Sequence, residues 1–425
     1  MIQGRRCDGP RGYRHNVSLA PPLREVLAVD EGFIVASLPI AGAEWLAVGR
    51  RGVGLELLDS RRLHRARVVR RFCAAALEGG TVIGWSEGKP KDSVVTGVRV
   101  FEGRPAAATI AAGGFVIGSD VVEVRAWNTD NGKQAWEWIP EPRQTESGSG
   151  NSIRTDLCSD GELVYFGLRD GTIRALSVDD GKEVWRTVLV RNPDPVAGED
   201  RAFQLWAAEP TGSGSVRDGV VYFHASDRAV ALEATSGRHI WEAKAYCTDA
   251  QLHLDSYHCL GVGGEYEILD ARTGRRQFKK DLKSVTPAGF HNGGMPTYRP
   301  MVVSDTHLFC GYGIGYLLAF ERTTGRLVWH TRAKPPLSFH QENYFQIVNG
   351  RLYTGDYGTM RIYEEVNPTD PVLIRQRAEV EVVARQRNTR LPVKVAAKEE
   401  PKDAAKKSTP TRRAKKGPAG RGRKG

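Results

Sequence analysis

The sequence lacks close cysteine pairs, long apolar runs and any metal-binding histidine motif, and each absence removes a class of function. Six cysteines (Cys7, Cys73, Cys158, Cys247, Cys259, Cys310) are scattered over 425 residues, with no CxxC and no adjacent pair. That spacing argues against a disulfide framework or a zinc knuckle and for buried, reduced thiols. No stretch approaches the roughly 18 apolar residues that cross a bilayer as a helix. The opening MIQGRRCDGPRGYRHN has positive charge but no apolar segment behind it. Neither an export leader nor a lipid-modified Cys7 is therefore expected, and the expected location is cytoplasmic. HExxH is missing, and His253 and His258 stand without other ligand types at suitable spacing, so no metal is expected. The glycine-rich stretches Gly261–Gly264 and Cys310–Tyr316 do not spell GxGxxG. They read as strand ends, where glycine lets backbones approach closely.

What the chain does contain is a repeat. VRAWNTDNGKQAWEW (Val124–Trp138), IRALSVDDGKEVWRT (Ile173–Thr187) and VALEATSGRHIWEA (Val230–Ala243) align with one another. YEILDARTGRRQFKK (Tyr266–Lys280) and YLLAFERTTGRLVWHT (Tyr316–Thr331) align with them. Each is a run of alternating apolar residues, a turn closed by Gly, and a second run with an aromatic four places after the Gly. Asn, Asp, Ser or Thr before Gly makes a tight hairpin, because Gly takes the positive φ that other residues resist. The recurring aromatics, Trp136, Trp185, Trp241, Phe278 and Trp329, would each fill a slot against a neighbouring unit. Seen alone, Asp180, Gly181 and Trp185 look like a site. Set beside four sister hairpins, they become a turn and a packing wedge.

Degenerate copies fill the gaps: Gly54–Val69, Val98–Ile110 with a shortened turn, and Arg361–Arg377 with a longer, Pro-containing one. Turn centres then recur about every 44 residues, within the range of propeller repeats. Two further strand signals precede each clear hairpin, giving four strands per unit and about eight units. Stacking such units in a ring buries both faces of every sheet and leaves no open end. The expected fold is therefore all-β, an eight-bladed β-propeller of four-stranded antiparallel blades, with seven blades as the alternative. It spans residues 25–380 after a polar lead-in, 1–24, and before a tail, 381–425.

The tail holds most of the charge. From Asn388 onward there are thirteen Lys or Arg and three acids, a net of +10 out of the chain's +11, which leaves about +1 on the rest. No aromatic occurs there, so the segment cannot bury enough to offset its ordering entropy and is expected to be disordered. Lys406, Lys407, Arg412, Arg413, Lys415, Lys416, Arg421, Arg423 and Lys424 run without an acid among them. Dispersed cations with Pro, Ala and Gly suit phosphate neutralisation, so DNA, RNA or another polyanion is the expected tail partner.

The hairpins resemble the pyrroloquinoline-quinone-type (PQQ-like) propeller repeat. Asp180-Gly181-Lys182 with Trp185, Ser236-Gly237-Arg238 with Trp241, and Thr324-Gly325-Arg326 with Trp329 carry the resemblance best. It extends over about residues 10–378 and implies a propeller with a Trp docking motif. It also implies three functional branches. A quinone-dependent oxidoreductase would need PQQ, a calcium ion and acidic ligands that have no matching positions here. An outer-membrane assembly lipoprotein would need a leader, which the opening residues do not spell. The third branch, a non-catalytic scaffold with protein partners on its faces, no cofactor and a monomeric propeller, is the expected one. A further alternative is a sensor for a small anionic ligand at the channel mouth. Arg154, His291, Asn292, Tyr298, Arg299, His340 and Tyr344 are its candidate residues, since each precedes the first strand of a unit.

Overall fold

The computed structural model describes residues 19–21, 23–29, 40–41, 45–50, 54–59, 65–69, 72–78, 81–86, 98–102, 108–119, 122–140, 152–189, 210–225, 227–287, 298–313, 315–332, 344–348, 350–356 and 359–366. The chain divides into two units, 1–384 and 385–425, and every described residue belongs to the first.

The described residues form seven four-stranded sheets and one three-stranded sheet. Sheet 1 holds Ile40–Ala41, Trp45–Arg50, Gly54–Asp59 and Arg65–Val69, and sheet 2 holds Phe72–Glu78, Thr81–Ser86 and Val98–Glu102. Sheet 3 runs Ala108–Ala112, Phe115–Ser119, Val124–Asn128, Gln134–Trp138. Sheet 4 runs Cys158–Ser159, Leu163–Gly167, Thr172–Ser177, Glu183–Val188. Sheet 5 runs Pro210–Arg217, Val220–Ala225, Arg228–Glu233, His239–Lys244. Sheet 6 runs Asp249–His253, Ser256–Leu260, Glu265–Asp270, Arg276–Asp281, and sheet 7 runs Tyr298–Val303, His307–Tyr312, Tyr316–Glu321, Leu327–Arg332. Sheet 8 combines Tyr344–Val348, Arg351–Asp356 and Thr359–Glu365 with Leu23–Val29 from the start of the chain. The first strand of each sheet lies beside the first strand of the next, from sheet 1 through to sheet 8. This is a β-propeller, with the first strands innermost.

Burial follows from that arrangement. The second and third strands are covered on both faces by neighbouring sheets, so Leu163–Gly167 and Thr172–Ser177 are buried almost throughout. Only the fourth strand alternates between buried and exposed positions, as in Glu183–Val188. The sequence obeys: LVYFG is a continuous apolar run, whereas EVWRTV interleaves charge. The core is consequently a series of clusters between neighbouring sheets. Trp136 packs with Val164, Phe166 and Leu176 between sheets 3 and 4, and Trp185 packs with Val221, Phe223 and Leu232 between sheets 4 and 5.

Each hairpin turn is built for the ring that lands on it. The amide of Gly181 donates to the Ser177 carbonyl, and that of Gly237 to the Glu233 carbonyl. Both glycines sit at positive φ, 68° and 69°. A methyl group on Gly181 would come within 2.5 Å of Trp136 Cε3, and one on Gly237 would collide with Trp185. The indoles also bond across the gap. Trp136 Nε1 donates to the Val178 carbonyl (2.7 Å), Trp185 Nε1 to Ala234 (2.8 Å) and Trp241 Nε1 to Ala271 (2.8 Å). In each case the acceptor is the residue that follows the third strand of the next sheet.

Two degenerate repeats depart from the expected hairpins. Val98–Ile110 is not a hairpin, because Val98–Glu102 ends sheet 2 and Ala108–Ala112 begins sheet 3. Val98–Glu102 pairs parallel to Thr81–Ser86, as an outer strand does when it lies directly against the second strand. Its Phe101 covers Gly132 of sheet 3, the place a Trp takes elsewhere. Likewise, Thr359–Glu365 pairs not with the residues after it but with Leu23–Val29. Arg24 bridges Glu364 (3.1 Å), Tyr363 Oη donates to Glu25 (3.2 Å), and the buried Arg361 lies 3.6 Å from Glu25. Leu19 and Leu23 are buried beside Trp329 and Tyr363, so the start of the chain is part of the core.

The docking geometry predicts a specific coupling. Trp185→Ala should cost roughly 3–5 kcal/mol of stability. Gly237→Ala should cost about 1–3 kcal/mol from strain at positive φ and overpacking against the indole. In the double variant the collision disappears, so urea unfolding should show the two penalties failing to add by roughly 0.5 kcal/mol or more. Strict additivity would mean that the ring does not rest on that turn.

Candidate functional site

Among the described residues, sheets 5, 6 and 7 bring together a group of buried titratable side chains, built by strand alternation. On Val220–Ala225, His224 points into the interior and is fully buried, with Tyr257 Oη 3.4 Å from its Nδ1. The Gly212 backbone packs against the same imidazole, leaving no room for a side chain there. On Ser256–Leu260, alternation turns Tyr257 and Cys259 to one face and His258 to the other. His258 Nδ1 lies 2.8 Å from Tyr266 Oη, and its ring stands 6.2 Å from that of His253. His253 Nε2 approaches Asp305 of sheet 7 at 3.2 Å, without the angle of a hydrogen bond.

Burial sets the charge state of these groups. His224 is held down to about 4 by complete burial, which outweighs the pull of Asp249. Burial likewise depresses His258 and His253, helped in both by the positive Arg322. Burial raises the Cys247 thiol, which contacts Cys259, and also raises the Cys310 thiol and the Tyr257 and Tyr266 phenols. All are neutral near pH 7. A thiol kept protonated is a poor nucleophile and metal ligand. Among the described residues no group of three or more His, Cys, Asp or Glu is placed to hold a metal ion.

The other polar groups here hold strands and sheets together. Asp249 accepts from the Met301 amide (2.7 Å) and Gln251 from the Val303 amide (2.9 Å), joining the innermost strands of sheets 6 and 7. Glu267 is nearly fully buried and neutralised by Arg276 (2.5 Å) and Lys279 (2.9 Å) on the adjacent outer strand. Arg174 does the same for sheet 4, bonding Glu183 at 2.5 Å.

Of the channel-mouth candidates, Tyr298 and Arg154 have described side chains. Tyr298 is a correction: it is fully buried, donates from its hydroxyl to Thr286 Oγ1 (2.8 Å) and packs against Tyr312 at 4.7 Å. An apolar ring at the head of an inner strand is drawn into the core, where Gly264 makes room for it. Arg154 is half-buried just before the first strand of sheet 4, its amide bonded to the Gly167 carbonyl. Arg299 and Tyr344 take backbone positions in the first strands of sheets 7 and 8. His291, Asn292, His340 and all nine basic tail positions from Lys406 to Lys424 lie outside the described residues.

The wedge positions divide. Trp136, Trp185 and Trp241 dock as described above. Trp329 is buried edge-on to Tyr363 at 6.3 Å, with no hydrogen-bond partner for its Nε1 among the described residues. Phe278 is half-buried against the core shared by sheets 6 and 7 and lies 5.9 Å from Tyr266, as Trp185 lies beside Tyr165, while the Lys280 stem covers Gly325. A phenyl ring has no N–H with which to reach the next sheet's carbonyl. Phe101, which does dock, stands four places after Gly97, the same offset as in the clear repeats, and centring the turn near residue 103 hides that signal.

The buried imidazoles predict how stability depends on pH. Unfolded histidine titrates near 6.5, while His224 in the fold titrates near 4. Below pH about 6.5 the unfolded chain binds protons that the folded chain refuses, so stability falls as pH drops and levels off only below about 4. His224 alone accounts for roughly 3 kcal/mol of that fall. Urea unfolding at pH 7.5 and 4.5 should show a smaller loss for His224→Gln than for the native chain. Equal losses would remove His224 from the account.

The family model described as outer membrane protein assembly factor BamB matches residues 74–255 and 169–336, together more than half of the chain. The outer membrane protein assembly factor BamB of Yersinia pestis is 23% identical over 245 residues, 55% of this chain and 56% of that protein. The chain thus spans little more than half the length of that relative. Among solved structures, BamB from Moraxella catarrhalis is 15% identical with a TM-score of 0.49, covering 78% of this chain and 85% of that one. The computationally designed Ika8 protein is 14% identical with a TM-score of 0.54, covering 80% of this chain and 99% of that one. The likeness to the designed protein is one of fold alone. The sequence reading set the assembly-factor branch aside for want of a leader, yet that name is the one the matching family model carries. With its repeating hairpins and ring-on-glycine junctions, the chain belongs to the PQQ-like repeat family whose model bears the description outer membrane protein assembly factor BamB.

Proposed function

We propose that the protein is a non-catalytic scaffold: a propeller that binds protein partners on its faces, with a basic tail that attaches it to nucleic acid or another polyanion. The observation that carries this reading is the use made of the conspicuous side chains. Trp136, Trp185 and Trp241 wedge sheets together, and His224, His258, Cys247 and Cys310 are buried and neutral. The chemistry left for function is on the surface. The Yersinia pestis relative is named as an assembly factor, a role that a propeller with exposed outer strands also suits.

The division of charge supports the second half. Thirteen basic residues against three acids lie after Arg387, while the rest of the chain carries about +1 of the total +11. Such a tail would release counterions from a phosphate backbone without reading sequence. In this reading the protein works in the cytoplasm, where fractionation should find it.

A chain ending at Arg387 tests the tether. With a fluorescent DNA duplex as probe, the full chain should bind and weaken by roughly a thousandfold between about 50 and 200 mM salt. The shortened chain should keep its unfolding transition and lose that salt-sensitive binding. Equal binding by the two forms would show the tether to be wrong.

A further inference from the structure

The outer hairpin of sheet 6 differs from those of sheets 3, 4 and 5 in two independent ways. The first is charge. Residues 271–285 carry six cations, Arg272, Arg275, Arg276, Lys279, Lys280 and Lys283, against one acid, Asp281. The corresponding hairpins of sheets 3, 4 and 5 mix signs: Asp130, Lys133, Glu137, Glu141 and Arg143; Asp179, Asp180, Lys182, Glu183, Arg186 and Arg191; Arg238, Glu242 and Lys244. That of sheet 7 carries Arg322, Arg326, Arg332 and Lys334 without an acid. On a body whose net charge is close to zero, this is a concentrated positive stripe. It continues onto the turn of sheet 7, because the Lys280 stem lies over Gly325, next to Arg326.

The second difference is the wedge. In sheets 3, 4 and 5 the central aromatic of the outer strand is locked into the next sheet, 8% exposed and hydrogen-bonded through its indole. In sheet 6 the same position is Phe278, packed on the core between sheets 6 and 7 but only half-buried and without an indole N–H to bond the next sheet. Arg276–Asp281 is also the outermost strand of its sheet. The outer side of such a strand offers every second residue's N–H and C=O to a further strand. A row of cations, a partly exposed ring and a free backbone edge therefore coincide on one strand.

We propose that the outer edge of Arg276–Asp281 is a docking surface for an acidic, extended protein segment that adds to sheet 6 as a fifth strand. Main-chain bonds to the edge would supply affinity, and Arg272, Arg275 and Lys283 would select carboxylates, with Phe278 accepting an apolar side chain between them. Arg276 and Lys279 are already committed to the buried Glu267, so they hold the strand in place. A structured edge favours a peptide over a nucleic acid, which would neutralise the cations but leave the backbone groups unused. This surface rests on the reading of the body as a protein-binding scaffold and is independent of the tail.

Hydrogen exchange on the full-length protein tests it. The probe is a peptide of about ten residues alternating Glu and Val, with an equally acidic Glu–Pro peptide and a DNA oligonucleotide as controls. The Glu–Val peptide should slow exchange across 276–281 by at least ~10-fold, and the Glu–Pro peptide, which cannot donate main-chain bonds in alternation, should not. Changing the exposed Arg272→Glu, Arg275→Glu and Lys283→Glu together should weaken the Glu–Val peptide by at least ~10-fold. The corresponding Gln variants should weaken it less, which separates lost charge from any misfolding. Equal protection by the Glu–Pro peptide or the oligonucleotide would overturn strand addition in favour of a simple charged patch. Protection elsewhere on the propeller body would overturn this surface while leaving the scaffold reading intact, and protection confined to 388–425 would overturn it in favour of the tail.

Discussion

An aromatic ring at the middle of one sheet's outer strand rests on the turn glycine of the next sheet at each junction from sheet 2 to sheet 6, and the order of that part of the body depends on the contact. It explains why the glycine must be a glycine, since any side chain at Gly181 or Gly237 would occupy the volume of Trp136 or Trp185. It explains why the turn ends where it does, because the carbonyl just after the third strand must face the neighbouring indole. It also explains why the interior is several small cores in series. No strand has to meet a distant one, except where the first strand completes sheet 8.

That exception marks the limit of what one sequence shows. The repeated turn-and-ring signal is local, spanning a few residues, and could be read directly from Asp180-Gly181 and Trp185 or Ser236-Gly237 and Trp241. Completing sheet 8 is not local. Leu23–Val29 pairs with a strand more than 300 residues away, and neither partner's composition names the other. Arg361–Arg377 looked like a hairpin because alternating residues followed a Pro-containing turn, and nothing within it revealed that its partner position was already filled. Val98–Ile110 misled for a related reason: strand signals on both sides of a short turn do not distinguish a hairpin from a crossing between sheets. Tyr298 was assigned to the channel mouth from its place in the repeat, but position along a strand does not say which face a ring takes.

The same physics separates structure from function here. A propeller needs its inner strands dry on both faces, so histidines, cysteines and tyrosines placed there become neutral packing groups whatever their chemistry in water. Reactive-looking residues in sheets 5, 6 and 7 are accordingly poor guides to activity. Under the proposed scaffold function, binding depends on edges, loops and tails. The departures from the repeat, Phe278 in place of Trp and an outer hairpin rich in Arg and Lys, are where the chain has something of its own to say.

The central claim is that the sheets form one propeller, tied ring-to-glycine from sheet 2 to sheet 6 and completed at sheet 8 by the first strand. Removing residues 1–29 and following urea unfolding, with a peptide of residues 19–29 then added back, tests it most directly. Loss of the buried Leu19 and Leu23 together with a full strand ladder should lower stability by roughly 5 kcal/mol or more, and the peptide should restore part of it. An unchanged unfolding midpoint without residues 1–29 would contradict that role of the first strand.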